Sequence, residues 1–532
     1  MGDPPSLRGA SALAQRPLVA CLAVFLFTIG IRAALLPILP VPWPAVHDEF
    51  SYLLAGDTYA SGRLTNPPHP FWQHFESFHI IQQPTYASKY PPMQGLALAF
   101  GERFFHQPWI GIWLSAGLMC AAVCWMLEGF LPLPLAFIGA LLVALRIGIL
   151  SYWMNSYWGG AVPAIGGALL LGAVPRIALK RQYGLKRQYA HAITWAAGLA
   201  ILLNSRPYDG AVLALLSAAV VVWKCGRSSL RLILPAAAML VPTAAFMLYF
   251  NARVTGNPFE LPYELHERQY VVANNFAWSN DNPAPVYRHA VLQTFWTKIN
   301  VDQARRMRAH PLSSYLVKLA AMYGFFFCFY PLFIPALIWP YPLRTPEERM
   351  ALVLLAGGLL SLLPVVGFQY HYVAAIMPLF YLRVLQSADR LREWRPSAKP
   401  IGLAMAVMLL AMIPLQFGRE VWKIETQGVY ALPMAQPYHA MVRRLEALPG
   451  RQLVLVRYGP KHDPFQEWVY NRADIDAARI VWAREMGPPE DAALIEYFRG
   501  RSVWLLEPDR SPPKLTPYAA AGALQNLAQR SE

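Results

Sequence analysis

Two adjacent carboxylates, Asp48 and Glu49, stand in the stretch His47-Asp48-Glu49-Phe50-Ser51-Tyr52, directly after an apolar run from Pro17 to Pro40. Acidic groups beside a bilayer are costly to desolvate, so a pair held there points to chemistry at the lipid–water boundary. A carboxylate in that position can act as a general base. The competing reading is the solvated start of an ordinary loop. Cations recur further along the chain, also at the borders of apolar runs. Lys89 precedes Tyr90-Pro91-Pro92, and Arg206 occupies the short turn Asn204-Ser205-Arg206-Pro207-Tyr208. Arg32 lies late in the first run and Arg146 near the end of the third, where either could simply snorkel to the interface. A base beside several cations at headgroup depth suits the cleavage of a lipid-linked phosphosugar. The cations neutralise the leaving phosphate, and the base takes a proton from the acceptor hydroxyl.

Aromatic and amide groups border the same region. The loop Ser151–Trp158 carries Asn155 and Tyr157, another tight turn carries Tyr370, His371 and Tyr372, and Phe71 and Trp72 lie in the first loop. Trp and Tyr collect at membrane interfaces whatever their function; together with Tyr52 and Tyr90 they could also stack on a sugar ring. His69, His74 and His79 recur at five-residue spacings. That spacing does not put them on one helical face, so they read as incidental loop histidines rather than a metal site.

The elements that must hold these groups follow from composition. The chain has 532 residues, 56% hydrophobic and 14% charged, with mean hydropathy +0.30. A soluble domain carries about a quarter charged residues, so the composition is that of a polytopic membrane protein. The net charge of +15 then belongs on cytoplasmic loops and does not imply nucleic acid. The five cysteines, Cys21, Cys120, Cys124, Cys225 and Cys328, fall in or beside apolar runs and have no zinc-type spacing. Cys120 and Cys124, one helical turn apart, suit packed thiols better than a disulfide. Arg8 and Arg16 precede the first run with no small-residue cleavage site after it, which predicts an uncleaved first span.

Apolar runs of spanning length occur near 17–40, 108–129, 131–150, 156–178, 189–204, 208–224, 229–250, 313–340, 349–367, 371–388 and 400–418. Basic residues check that count. Arg176, Lys180, Arg181, Lys186 and Arg187 share one connection, and Lys224, Arg227 and Arg231 another. Arg344 and Arg349 mark a third, and Arg390, Arg392, Arg395 and Lys399 a fourth. About eleven spans from a cytoplasmic N-terminus put all four on one side. Counting the apolar segment Tyr90–His106 as a span would invert every later loop. It is predicted instead to be an amphipathic helix on the outer surface, entered through Pro91-Pro92. The segment 41–107 then forms a long external loop that opens with Asp48 and Glu49, and 251–311 forms a second.

From Arg419 onward charge is frequent and apolar runs are short. Leu453–Val456, Ile480–Trp482 and Val503–Leu506 read as strands and Asp491–Phe498 as a helix, which predicts a small external α/β domain over 419–532. It has no phosphate loop or nucleotide fingerprint, and its Lys461-His462-Asp463 and Glu467 read as a solvated cluster. No internal repeat appears in the membrane part, 1–418, which weakens a transporter reading.

The order of these features resembles the GT-C membrane glycosyltransferases: a long first loop opening with Asp-Glu, a Lys-x-Pro-Pro surface helix, and a late outer-turn tyrosine. The groups most similar are the dolichyl-phosphate-mannose protein mannosyltransferases, the lipid A aminoarabinose transferases and the RgtA-type domains. The resemblance spans roughly 17–390. It implies Asp48 as base, with Glu49 beside it, and Lys89 as a ligand of the lipid phosphate. Tyr52 fits the aminoarabinose branch, but Ser51 stands where that branch has Arg; Arg206, Arg32 or Arg146 is expected to substitute. Oligosaccharyltransferase-like members hold a metal with a later acidic motif. Residues 151–158 lack any acid, so no metal and no cofactor is expected.

The expectation is therefore an inner-membrane, multi-pass glycosyltransferase with about eleven transmembrane helices and a C-terminal α/β domain outside. It would use a polyprenyl-phosphate sugar, invert the anomeric carbon, and act on a glycan, lipid or protein acceptor at the extracytoplasmic face. The rival readings are an O-antigen polymerase or ligase using a lipid diphosphate, and a transporter.

Overall fold

The computed structural model describes residues 16–179, 184–328, 330–331, 333–334, 345–395, 399–427 and 435–518. Arg8, Lys180, Arg181, Arg344 and the end of the run at 313–340 lie outside the described residues. The first half contains α1 (Pro17–Ala34), α2 (His47–Ala60), α3 (Pro92–Phe105), α4 (Trp109–Glu128), α5 (Leu133–Val143), α6 (Ala161–Ala178), α7 (Leu185–Leu203), α8 (Pro207–Cys225) and α9 (Ile233–Thr255). Next come α10 (Pro262–Tyr270), α11 (Ala290–Thr294), α12 (Asn300–Ala309), α13 (Pro311–Phe327), α14 (Pro346–Leu360), α15 (Met377–Glu393) and α16 (Ile401–Gln427). Proline opens α1, α3, α8, α10, α13 and α14, where its missing N–H costs nothing. Thr345 and Glu348 cap α14 reciprocally, at 3.2 and 3.1 Å.

Five helical stretches are long and apolar enough to cross a membrane: Pro17–Ala34, Trp109–Glu128, Ala161–Ala178, Pro207–Thr255 and Ile401–Thr426. The chain is thus a multi-pass helical membrane protein. Each of the other apolar runs also carries a helix, but a shorter or more polar one. Residues 373–388, α15 and the end of the 3-10 turn before it, are buried throughout and packed among α5, α6, α14 and α16. Small residues set the closest approaches. A Cβ on Gly167 would come within 2.0 Å of the Ala375 carbonyl oxygen, and one on Gly111 within 1.8 Å of that of Ala97.

The segment predicted as a surface helix is α3. Its outer side exposes Leu96, Phe100, Phe104 and Phe105, and its inner side packs on α2 and α4. Between α2 and α3 a two-residue antiparallel hairpin, β1 (Ile80–Ile81) and β2 (Ala87–Ser88), folds the loop back on α2.

The tail differs from expectation in three respects. The helix α16 runs through Gly418 to Gln427, so a boundary at 418 cuts a helix. The strand-bearing unit comprises α17 (Ala435–Glu446), β3 (Gln452–Val456), β4 (Ile480–Arg484), α18 (Pro488–Tyr497), β5 (Ser502–Glu507) and β6 (Lys514–Pro517). Its sheet order is β4-β3-β5-β6, parallel except for β6. Nor is this unit self-contained. One face of the sheet, Val454, Val456, Trp482 and Leu506, packs on Met441 and Leu445 of α17. The other, Leu453, Leu455, Val481 and Ala483, shares a core with Leu54, Phe75, Ile80 and Tyr86 of the first loop, closed by Leu494 and Phe498. Parallel strands need cover on both faces, and the catalytic-loop candidate supplies half of it. Polar links fasten the seam: Arg472 meets Asp57 at 3.0 Å and Glu102 at 3.3 Å, and His69 meets Asp476 at 3.1 Å. Glu467 is not solvated; it is buried and paired with Arg484 at 2.6 Å.

Candidate active site

The Asp-Glu pair opens α2, and the helix start divides the two carboxylates. Glu49, three residues past the extended Val46, turns back to accept the N–H groups of Ala45 at 2.7 Å and Val46 at 3.0 Å. Its other oxygen accepts the N–H of Tyr157 at 2.9 Å. Glu49 is therefore buried and occupied; burial raises its carboxyl to about 7 against the pull of those N–H groups. Asp48 remains 27% exposed. It accepts the hydroxyl of Tyr90, and its second oxygen lies 3.9 Å from His79 Nε2.

The hairpin explains why Lys89 and Tyr90 return to this point. Ser51 donates to the His79 carbonyl at 2.6 Å and lies 2.7 Å from the Ser88 hydroxyl, so it binds the hairpin to α2 and is no substitute for a cation. Tyr52 stacks on Tyr90 with ring centroids 4.3 Å apart. Lys89 is 4% exposed, boxed by Tyr263 at 4.5 Å, Tyr90 at 5.2 Å and Trp296 at 5.8 Å. Among the described residues its ammonium meets no hydrogen-bond acceptor. Burial lowers it to about 8, while Asp48 and Glu267 pull it up. The neighbouring His79 and His266 are held neutral, first by burial and then by the charge of Lys89.

Arg206 closes the other side. It pairs with Asp209 in the first turn of α8, and its guanidinium lies 4.3 Å over the ring of Tyr372. Arg206 and Asp48 both lie within electrostatic reach of Tyr52, which stacks on Tyr90, and of Tyr263, which lies under the Lys89 ammonium. A Cβ on Gly367 would sit 3.9 Å from the Tyr372 hydroxyl and 4.0 Å from Gln303, which lines a groove of about 650 Å³. Arg306, Val317, Lys318 and Phe368 also line that groove.

Other sequence candidates lie elsewhere. Arg32 spends its donors on Asn155 at 3.0 Å and the carbonyls of Leu39 at 2.8 Å and Pro40 at 3.1 Å. Arg146 donates to the Phe325 carbonyl at the end of α13. Both brace backbone turns, because a buried guanidinium needs acceptors and carbonyls past a helix end need donors. Neither joins Lys89 and Arg206, which corrects their expected role at the phosphate. Asn155 holds the turn after α5, and Tyr157 donates to the Pro42 carbonyl at 3.0 Å. Tyr370 stacks on Phe325 at 4.3 Å, and His371 exchanges hydrogen bonds with Tyr152 at 2.9 and 3.1 Å. These four position loops rather than face Asp48.

Sequence reasoning missed Tyr263, His266 and Glu267 on α10, and Trp296. The only available signal was the polar, aromatic composition of Pro262–Tyr270 within the second loop. For a metal, the described residues bring together Cys21, Cys124 and Glu128, with ligand atoms within 4.8 Å. Arg176 lies 3.8 Å from Glu128 there, and a guanidinium at that distance disfavours a cation.

No known family's sequence profile matches the chain, and no curated protein sequence does either. Solved structures do match. ArnT from Cupriavidus metallidurans bound to undecaprenyl phosphate aligns with TM-score 0.52 and 13% identity, over 91% of this chain and 92% of ArnT. The Archaeoglobus fulgidus oligosaccharyltransferase tethered to an acceptor peptide aligns at 0.48 and 13%, over 91% of this chain and 68% of its own. The ArnT likeness shows a shared fold along nearly the whole chain.

Proposed function

We propose that this chain is a membrane glycosyltransferase that moves a sugar from a polyprenyl-phosphate donor to an acceptor hydroxyl at the outer face of the plasma membrane. The observation that carries the reading is the buried ammonium of Lys89, without an acceptor of its own, beside the accessible carboxylate of Asp48. A buried cation lacking an acceptor is costly, and an incoming phosphate offsets that cost. ArnT holds undecaprenyl phosphate, and on the shared fold the same class of lipid is assigned here.

In the proposed reaction Asp48, oriented by the Tyr90 hydroxyl, takes the proton of the acceptor hydroxyl. That oxygen bonds to the anomeric carbon as the bond from this carbon to the phosphate oxygen breaks, inverting its configuration. The leaving polyprenyl phosphate is neutralised by Lys89 and Arg206. The groove near Tyr372, lined by Val317, Val366 and Phe368 and by Asp302, Arg306 and Lys318, suits the start of the prenyl chain beside its phosphate. About eleven spans from a cytoplasmic N-terminus would put this end of the bundle and the C-terminal unit outside.

The test uses the purified full-length protein in lipid, with undecaprenyl-phosphate sugars as probes. Donor consumption is expected in the native protein, with loss in Asp48→Asn and weaker donor binding in Lys89→Met. Failure to bind any polyprenyl phosphate would overturn the reading.

A further inference from the structure

A second cavity lies at the seam of the two long loops, away from Asp48. It has a volume of about 160 Å³ and is walled by Trp72, Glu76 and Gln83 from the first loop and Gln269, Tyr270 and Arg288 from the second. Its place in the molecule is separate from the site above. The hydroxyl of Tyr270 donates to Glu76 at 3.0 Å, the Tyr270 ring lies 5.1 Å from His266, and His266 lies 6.0 Å from His79. Two histidines and a tyrosine thus stand between the cavity and Asp48.

We infer that this cavity is a binding site for a single sugar ring, supplied by the glycan portion of the acceptor. Four observations converge on that ligand. The volume matches one ring and is too small for a prenyl chain. Aromatic surface comes from Trp72 and Tyr270, and a ring of axial C–H bonds stacks on such faces. Polar groups with both donor and acceptor capacity surround it. Gln269 uses its N–H for the Gln83 carbonyl at 2.8 Å, which leaves its own carbonyl oxygen to accept a hydroxyl. Arg288 is 46% exposed, lies 3.5 Å from Glu76 and rests 4.6 Å over Trp72, so it can donate to a ligand without leaving the wall.

Charge decides between ligand classes. Glu76 is 3% exposed and one of its oxygens has no donor among the described residues. The nearest candidate, His289 Nε2 at 3.4 Å, is held neutral by burial and aims at the Gln73 carbonyl, 2.8 Å away. A phosphate would be repelled by that carboxylate, and a free cation would compete with Arg288 and the buried Arg484, whose Nε donates to the Glu76 carbonyl at 2.7 Å. A neutral ligand rich in hydroxyls meets both signs. Such a polyol is what a seam between a donor-side loop and a second external loop would hold during transfer.

Assignment of this sugar to the acceptor rests on the glycosyl-transfer reading; its binding does not. The direct test is saturation-transfer NMR on the full-length protein in nanodiscs. The probes are the methyl glycosides of glucose, galactose, N-acetylglucosamine and rhamnose at tens of millimolar. At least one is expected to bind, with affinity at least fivefold weaker in Trp72→Ala and in Arg288→Ala. Both variants should melt like the native protein, and Asp48→Asn should bind as the native protein does. No binding by any of the four, binding unchanged in both wall variants, or loss of binding in Asp48→Asn would overturn the site. The source of the sugar is read from kinetics. Trp72→Ala is expected to raise KM for the acceptor with kcat and donor KM unchanged, whereas a raised donor KM would overturn the acceptor assignment.

Discussion

Glu49 accepts the backbone N–H of Tyr157 at 2.9 Å, which ties the start of α2 to the loop before α6. One residue earlier, Asp48 makes no such tie and takes the hydroxyl of Tyr90 instead. Adjacent carboxylates thus have opposite environments, because the first turn of a helix turns neighbouring side chains to different sides. Asp48 meets Tyr90 and His79, and Glu49 caps the free N–H groups at the helix start.

That division predicts different losses. Asp48→Asn should lower transfer by about 100- to 10,000-fold, the usual worth of a general base, with the melting temperature unchanged. A donor-consumption assay alongside a thermal melt checks both.

Glu49→Gln should fail by another route. An amide has one acceptor oxygen, so at least one of the backbone N–H groups now bound loses its partner, at a cost of about 1–3 kcal/mol. The melt should shift down, and hydrogen exchange at Ala45, Val46 and Tyr157 should quicken. Reduced activity with an unchanged melt would instead place Glu49 in the chemistry.

Lys89 sets a pH dependence. Burial lowers it from 10.5 to about 8, so it loses its proton as pH rises through that value. Between about 8 and 10.5 the folded protein holds fewer protons than the unfolded chain, so stability rises with pH across that window. Donor binding should move the other way, because the phosphate needs the charged form. The donor KM is expected to climb above about pH 8 in the native protein and to stay flat there in Lys89→Arg, whose guanidinium does not titrate.

Arg206→Lys is a cleaner probe than Arg206→Ala, which would leave Asp209 buried without its partner. Lysine keeps the charge but loses the flat stack on Tyr372, 4.3 Å away. Donor affinity should fall about tenfold, roughly one charge-assisted hydrogen bond, with acceptor preference unchanged. Donor titration by calorimetry measures it.

The shared core between the first loop and the sheet makes the C-terminal unit part of the scaffold of the candidate site. Leu455→Ala, in β3, should cost about 2–5 kcal/mol. It should also raise proteolysis between residues 69 and 88, on the loop side of that core. Protection of that segment unchanged from the native protein would show that the loop folds without the sheet.

Much of this was legible in the chain. Apolar runs and basic connections marked the helices, since crossing a bilayer demands a long, uncharged stretch that local composition cannot hide. Short apolar strands at 453–456, 480–482 and 503–506 stood out as brief apolar runs between charged segments, and Pro91-Pro92 marked the entry to α3. Asp48, Lys89 and Arg206 were visible as charges at the edges of apolar runs. What composition could not supply was the partner of each charge. Arg32 and Arg206 look alike in sequence, yet one is saturated by carbonyls and the other faces the tyrosines. Tyr263, Glu267 and Trp296 reach Lys89 from far along the chain, and the cover of the C-terminal sheet comes from residues nearly four hundred positions earlier. Membrane insertion is read residue by residue from local hydropathy, whereas a site is assembled from contacts between distant loops. Only the packing of those loops decides which charges are left for a ligand.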